Sequence, residues 1–330
     1  MGVPTVFIDG EAGTTGLQIY QRLAKRSDIE MVSIAPDKRK DATERAALLN
    51  SADVSILCLP DEAAREAVSW VNNPQSKILD ASTAHRTAAG WVYGFPELTL
   101  NQPENQPENQ RAAIAQANRV SNPGCYPTGF LAAVAPLVKA GLLPSDFPLT
   151  VNAISGYSGG GTKMIAQYEA LHRETSSESA VPYSPYGLAF GHKHVKEMQQ
   201  YAGLGHAPLF VPAVGDFAQG MLVQVPLPLW TLSQPPTGQQ LHQALSKCYA
   251  DEPFVTVMPY GATDQLRDGS FLDAKAANGT NKVQLFVFAK DDTQEALLVA
   301  RLDNLGKGAS GAAVQNLNIM LGLPEKTGLD

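Results

Sequence analysis

One thiol in this chain stands where packing explains it poorly. Cys125 lies in the run Ser121-Asn-Pro-Gly-Cys-Tyr-Pro-Thr-Gly129, where two prolines and two glycines constrain the backbone around it. Pro127 suits the first turn of a helix, because its fixed φ is helical and its missing N–H would have had no partner there. The pattern therefore predicts that the helix running on through Phe130–Ala140 carries Cys125 at its N-terminal end. Unpaired amides and the positive end of the helix dipole favour a thiolate at such a position. The same amides can hold the oxyanion formed when that thiolate attacks a carbonyl. The other two cysteines read as packing residues. Cys58 falls inside the apolar stretch Ile56–Leu59, and Cys248 shares a helical face with Leu241 and Leu245. Three cysteines without CxxC spacing suggest neither a disulfide framework nor a cysteine-rich zinc site, and they fit a reducing cytoplasm.

Proton handling for such a nucleophile needs a group that titrates near neutral pH. Gly191-His192-Lys193-His194 supplies two imidazoles that share a side if the segment is extended. One of His192 and His194 is the expected general acid/base. The alternative is a pair of metal ligands, but no third cysteine or carboxylate stands at a supporting spacing. His85, His172, His206 and His242 have no comparable context and read as structural or surface residues. Glu197 either orients a histidine or lies on a helix surface. Arg86 and Lys163 each follow a Ser- or Gly-containing turn and are candidates for gripping phosphate or carboxylate, together with Ser158; for each cation a solvated surface position is the competing reading.

A second chemical feature opens the chain. After a first apolar run comes Gly10-Glu-Ala-Gly13-Thr14-Thr15-Gly16, then a helical stretch beginning near Leu17. Glycines there allow a tight turn and a close approach of backbone to phosphate, and the helix start offers free N–H groups to a pyrophosphate. The spacing is GxxGxxG and not GxGxxG, so its weight comes from its place between the first strand and the first helix. NAD sites usually put a carboxylate at the end of the second strand, on the ribose hydroxyls. Here Asp37 is followed directly by Lys38, Arg39 and Lys40, which favours a 2′-phosphate and hence NADP.

The elements that must carry these groups can be read from hydrophobic periodicity. Strand-like runs at Thr5–Ile8, Ile29–Ile34, Val54–Leu59 and Lys77–Asp80 alternate with helical stretches at Leu17–Lys25, Ala42–Leu49 and Glu62–Val71. That alternation implies βαβ units and a Rossmann-like parallel sheet over about residues 1–120. Strand signals at Leu149–Ile154, Leu209–Val214, Met221–Val225, Val283–Phe288 and Ala296–Leu302 have fewer helices between them. They predict an α+β catalytic domain with a mixed or antiparallel sheet over 121–306. A last segment, about 307–330, holds an amphipathic helix near Gly311–Leu321 that docks back on the first domain. Asn101–Gln110 says one Pro/Asn/Gln-rich pentapeptide twice and reads as an exposed loop.

Bulk properties set the remaining bounds. A chain of 330 residues, 44% hydrophobic and 17% charged, fits two domains with sizeable cores. A net charge of −7 argues against a nucleic-acid partner. No apolar run reaches the roughly 18 residues of a membrane span, and the N-terminus reads as an opening strand and not a signal peptide.

Taken together these motifs resemble the N-acetyl-gamma-glutamyl-phosphate reductase family in its shorter form, over nearly the whole chain. The resemblance rests on the Gly10–Gly16 loop, Ile34–Asp41, Leu79–Arg86, Val92–Leu98, Ser121–Phe130, Ser155–Lys163, Ala189–Met198 and Lys307–Leu323. It implies attack of Cys125 on an acyl phosphate, a thioester, hydride from NADPH, and release of a semialdehyde, as a step of arginine biosynthesis. It also implies a dimer or tetramer, with 121–306 as the substrate and oligomerisation domain. Aspartate-semialdehyde dehydrogenase or a related phosphorylating aldehyde dehydrogenase is the alternative within enzymes. A dinucleotide sensor that has lost catalysis is the alternative outside them, and the intact thiol, histidine pair and glycine loop speak against it.

Overall fold

Short β-branched runs bounded by turn residues form the first part of the molecule. In order these elements are β1 (Thr5–Asp9), α1 (Thr14–Leu23), β2 (Glu30–Val32), α2 (Ala42–Ser51), β3 (Val54–Leu57), α3 (Asp61–Ser69), β4 (Lys77–Asp80), β5 (Val92–Tyr93), α4 (Gln110–Gln116) and β6 (Arg119–Ser121). The computed structural model describes residues 2–98, 109–173 and 181–329. The strands form one six-stranded sheet in the order β2-β1-β3-β4-β6-β5, and every pair in it is parallel. All four residues of β3 are buried, as a strand covered on both faces requires. Asp41 caps α2 by accepting from the amides of Thr43 and Glu44. Asp9, at the end of β1, is held by a buried bidentate pair with Arg45 of α2 at 2.8–3.1 Å.

The remaining elements up to residue 308 build a second unit. They are α5 (Cys125–Lys139), β7 (Thr150–Gly156), α6 (Gly161–Arg173), β8 (Tyr183–Pro185), α7 (His194–Ala202), β9 (Leu209–Gly215), β10 (Met221–Pro228), α8 (Gly238–Cys248), β11 (Val255–Val257), β12 (Val283–Lys290) and β13 (Glu295–Leu302). Seven strands pair in the order β11-β12-β13-β10-β7-β9-β8, with parallel β11/β12 and β7/β9 pairs and antiparallel pairs elsewhere. The sheet is therefore mixed. Helix α5 packs on it through β10, β12 and β13 and lies against α7 and α8. The second unit takes in Glu97 and Leu98 with 125–308, and the first unit takes the rest, including the chain after Gly308.

That last segment carries α9 (Gly311–Leu321), which packs on α1, α4, β3 and β4 of the first unit. It departs from the amphipathic expectation, because every residue from Gly311 to Met320 is buried. The polar positions that made it look two-sided make hydrogen bonds inside, with Asn316 Oδ1 left without a partner. Asn316 donates to the carbonyl of Gly94 at 2.7 Å, and Asn318 to those of Glu325 and Thr327 at 3.0 Å. The expected loop Asn101–Gln110 lies outside the described residues except at its end. There Asn109 caps α4 and Gln110, within the helix, donates to the carbonyl of Tyr93. Helix α5 begins at Cys125, so Pro127 does fall in its first turn.

Close packing of α5 depends on Gly129. A methyl group there would stand 2.8 Å from Val223 and 3.2 Å from Ala300 and Leu302, on β10 and β13. Overpacking of this kind costs about 1–3 kcal/mol. Gly129→Ala is expected to lower the unfolding free energy by that amount, seen as a lower urea midpoint with an unchanged m value, and an unshifted midpoint would show that the contact is not tight.

Candidate active site

The turn that delivers the chain to Cys125 is fixed on the side of the first unit. The amide of Asn122 donates to the carbonyl of Asp80 at 2.8 Å, and its side chain donates to Ala309 O at 3.1 Å and accepts from Asn316 at 3.1 Å. Arg86, expected to grip an anion, is buried here; its Nε donates to Asn122 O at 2.9 Å and Nη2 to Ala81 O at 3.3 Å. A guanidinium held this way braces the turn. The loop before it is pinned by Asp80, which accepts from the amide and hydroxyl of Ser82 at 2.8 Å and pairs with His85 Nδ1 at 2.6 Å. His85 stacks on Trp91 with ring centroids 4.1 Å apart. This histidine is structural.

In the second unit Cys125 is the first residue of α5 and is half-buried. Amides in the first turn of a helix have no acceptor within it, so the thiol stands where negative charge on sulfur, or on a carbonyl oxygen bound to it, is favoured. Gly308 lies directly against it: a methyl on Gly308 would be 2.9 Å from Cys125 Cβ. The phenols of Tyr126 and Tyr186 both feel the charge of Cys125. Burial, opposed by the hydrogen bond to Tyr126 and reinforced by Cys125, pushes Tyr186 up to about 12. Tyr186 donates to Tyr126 Oη at 3.2 Å, and Tyr126 donates to Ala213 O at 3.2 Å. Both phenols are thus held as neutral donors.

His192 and His194 are brought together with these groups, though not by an extended segment. His194 opens α7, and His192 sits in the turn before it. Their ring centroids are 4.7 Å apart, His192 is 5.8 Å from Tyr186, and the two rings are 6.0 and 5.9 Å from Tyr126. His192 Nδ1 accepts from the His194 amide at 3.2 Å. The neutral ring that makes this bond carries its proton on Nε2. His194 is buried, and so is Glu197 one turn on, which removes the helix-surface reading of Glu197. Among the described residues no group of three potential metal ligands is present.

The cations and hydroxyl named for substrate are separated by exposure. Ser158 is buried in the turn Tyr157–Gly160 and its Oγ accepts from Asn304 at 2.9 Å; Lys163 is exposed in the first turn of α6. Tyr186 and Asn304 were not legible as site residues. Nothing in their immediate sequence marks them, and only the strand pairing that places β7, β9 and β13 in one sheet puts them beside the named groups.

The glycine loop belongs to the first unit. Gly10 has φ +91°, and a side chain on it would meet the Cys58 carbonyl at 2.4 Å; one on Gly16 would meet Gly10 O at 2.4 Å. These two glycines are needed for closeness of backbone to backbone. Gly13 caps α1 with no side-chain hydrogen bond, and its amide donates to Gly10 O at 3.0 Å. Thr14 Oγ1, in the first turn with Thr15, is buried with no hydrogen-bond partner. An uncapped helix start with an orphaned hydroxyl fits a phosphate acceptor. Arg39 reaches back to this loop and meets Glu11 at 3.4 Å, while Lys38 pairs with Glu44; both cations remain about half exposed, at 42% and 49% of their side-chain surface.

Similar proteins bear on both units. The family model for the semialdehyde dehydrogenase dimerisation domain matches residues 125–304. N-acetyl-gamma-glutamyl-phosphate reductase 2 of a Nostoc species is 66% identical over 330 residues, covering all of both chains. The N-acetyl-gamma-glutamyl-phosphate reductase of Mesorhizobium japonicum is 52% identical over 97% of this chain and 99% of its own. Among solved structures, aspartate semialdehyde dehydrogenase II of Vibrio cholerae complexed with ASA matches with a TM-score of 0.72 at 16% identity, covering 98% of this chain and 99% of that one. Aspartate semialdehyde dehydrogenase of Candida albicans with NADP matches with a TM-score of 0.63 at 14% identity, covering 97% and 99%. At such identities the likeness is one of fold.

The three thiols differ enough to be told apart chemically. Burial, helped by the charges of Asp80 and Asp9, pushes Cys58 up to about 12, and burial raises Cys248. Both stay protonated at pH 8, and the thiolate is the nucleophile. Iodoacetamide at pH 8 is expected to label Cys125 first by peptide mapping, with Cys58 labelled only after unfolding. Labelling of Cys58 at a rate equal to Cys125 would contradict this ordering.

Proposed function

The chain belongs to the N-acetyl-gamma-glutamyl-phosphate reductase family, and we propose that it reduces N-acetylglutamyl 5-phosphate to the 5-semialdehyde with release of phosphate, using NADPH and Cys125 as covalent nucleophile. The observation that carries this reading is the half-buried thiol at the first residue of α5, grouped in one unit with two imidazoles and two phenols. Full-length identity of 66% to a protein of that name, against 16% to an aspartate semialdehyde dehydrogenase, favours this substrate over aspartyl phosphate.

In this mechanism the sulfur of Cys125 attacks the acyl carbon. The S–C bond forms, the bond from carbon to phosphate oxygen breaks, and the thiol proton passes through His194 to the departing phosphate. Splitting the reduction at a thioester replaces one difficult step by two easier ones. A reduced nicotinamide, when bound, supplies the hydride that turns the thioester carbonyl into a hemithioacetal oxyanion. The first-turn amides of α5 and the Nε2–H of His192 meet that negative charge. Reforming the carbonyl expels sulfur as thiolate and frees the aldehyde. One proton is consumed overall, and it leaves on phosphate. Ser158, held by Asn304, and Lys163 are the groups proposed to orient the anionic ends of the substrate, and Arg86 contributes by bracing the turn before the thiol.

For the cofactor, the first-turn amides of Thr14, Thr15 and Gly16 with the Thr14 hydroxyl would hold the pyrophosphate, Gly13 would leave room for its approach, and Gly10 keeps the loop close to the end of β3. Arg39 and Lys38 would meet the 2′-phosphate. Their present partners, Glu11 and Glu44, are exposed pairs, which hold a cation weakly enough for a phosphate to compete. The reading also includes a cytoplasmic homo-oligomer, a dimer or tetramer. Among the described residues no helix is long and apolar enough to cross a membrane. Helix α6 has no buried residue, β8 is the sheet edge, and Leu188 and Phe190 beyond it are 68% and 65% exposed. Apolar surface of that kind marks an interface.

Three measurements check these assignments. Cys125→Ser is expected to bind NADPH normally and lose nearly all turnover of N-acetylglutamyl phosphate, while His192→Asn, which lacks an oxyanion donor at the Nε2 position, loses about 10²–10³-fold in kcat and His194→Asn, which lacks the proton carrier, about 10²–10⁴-fold; full activity in these variants would sink the mechanism. The unaltered protein is expected to prefer NADPH by at least about tenfold in kcat/KM, a factor that one charge-assisted hydrogen bond can supply, and Lys38→Ala with Arg39→Ala to reduce that preference. Equal use of NADH would move the ribose contact to Asp37. Phe190→Asp is expected to shift the species in light-scattering chromatography to a smaller mass, and an unchanged mass would place the interface elsewhere.

A further inference from the structure

A buried ion pair in the second unit has no part in the chemistry above. Lys307 Nζ donates to Glu97 Oε1 at 2.7 Å, with 1% and 0% of the two side chains exposed. The ammonium also lies 5.5 Å from the ring of Phe254, and the Glu97 charge is felt by Tyr249, whose hydroxyl donates to Ala132 O on α5 at 2.9 Å. Two oppositely charged groups so fully removed from water are a poor source of stability, because desolvation offsets much of their attraction; they hold geometry instead. Here the two ends come from distant parts of the chain, 210 residues apart. Lys307 immediately precedes Gly308, and Gly308 is the residue against which Cys125 rests.

The turn between them is fixed at several further points. Asp303, buried, accepts from the Leu305 amide at 2.9 Å, the Gly279 amide at 2.8 Å and Gln219, and its carbonyl accepts from the Gly308 amide at 3.0 Å. Gly306 is pressed on Thr280, whose carbonyl would be 2.4 Å from a methyl there. Asp303 therefore sets the start of the turn and holds the Gly308 amide, and Lys307 is the side-chain anchor nearest the contact with the thiol. We propose that the Glu97–Lys307 ion pair is a positioning device for Cys125: it holds Gly308 against the Cβ of the cysteine and so fixes where the sulfur points. The pair touches no reacting atom. Its effect passes through Gly308, and the absence of a side chain there is what lets the contact be so close.

This inference rests on Cys125 being the nucleophile, so the test separates the two claims. The variants are the double change Glu97→Gln with Lys307→Met, which leaves no unpaired buried charge, and Gly308→Ala, which acts on the contact directly. Each is assayed in the full-length enzyme for kcat, KM for acyl phosphate, NADPH affinity, melting temperature and the iodoacetamide rate at Cys125. Small displacements at a reacting centre cost up to about a hundredfold. The expected result is a fall of roughly ten- to a hundredfold in kcat, a parallel fall in the labelling rate of Cys125, and KM and NADPH affinity within about twofold of the parent. A purely structural pair would lower the melting temperature and leave kcat and labelling unchanged, and that outcome overturns the proposal. If the double variant does not fold, Gly308→Ala decides: wild-type kcat and labelling rate in that variant overturn the positioning role. Activity persisting in Cys125→Ser would instead remove the nucleophile itself, whatever the pair does.

Discussion

Helix α5 is buried on almost every side, and the position of its first residue depends on that. Ten of its fifteen residues are buried, and Gly129 lets it approach β10 and β13 more closely than any side chain would allow. A helix packed this way cannot slide or rotate without opening voids or forcing overlaps, both of which protein interiors resist. Its N-terminus is therefore a fixed point. The amides of that turn and the sulfur of Cys125 hold a constant relation, which is what electrostatic stabilisation of an oxyanion needs, since donors that must reorganise lose most of their value. The histidines inherit the same rigidity, because α7 packs against α5 and carries His194 at its own first position.

The first unit solves a different problem with the same residue type. Gly10 and Gly16 are required by backbone contacts within the loop and with β3, whereas Gly13 leaves an open helix start. Of the three, only Gly13 is not needed for such a contact, so its missing side chain is what can leave room for a ligand. Glycines in such a loop therefore divide between those that make the loop possible and those that let something bind to it. The neighbouring Arg39–Glu11 pair also links the two halves of the proposed nucleotide site through exposed charges, whose mutual hold is weak.

Much of this was legible in the sequence, and the reasons are specific. The strands of the parallel sheet are short apolar runs with turn residues at both ends, so β4 was read at its observed limits, Lys77–Asp80. The mixed sheet followed from strand signals without intervening helices. Helix α9 misled in character because Gln315, Asn316 and Asn318 look solvent-facing in a periodicity plot but are buried and hydrogen-bonded. Helix α6 carries an apolar stripe, Met164, Ile165, Tyr168 and Leu171, that is not fully covered within one chain, since none of its residues is buried. Cys125 and the histidine pair stood out because their neighbours are chemically odd; Tyr186, Asn304 and the Glu97–Lys307 pair did not, because their significance comes from residues far away in the chain. Pairing of that kind is fixed by topology, and one sequence carries no local mark of it.

Covalent attachment of the acyl group to Cys125 is the claim on which the mechanism stands, and it can be seen directly. The unaltered protein is mixed with N-acetylglutamyl phosphate in the absence of reduced nicotinamide, quenched in acid, and measured by intact mass and peptide mapping. The expected result is one N-acetylglutamyl group per chain, located on the peptide that holds Cys125 and released by hydroxylamine, as a thioester is. A protein that turns over with NADPH yet shows no adduct under these conditions, or one that carries the adduct on another residue, would contradict a Cys125 thioester.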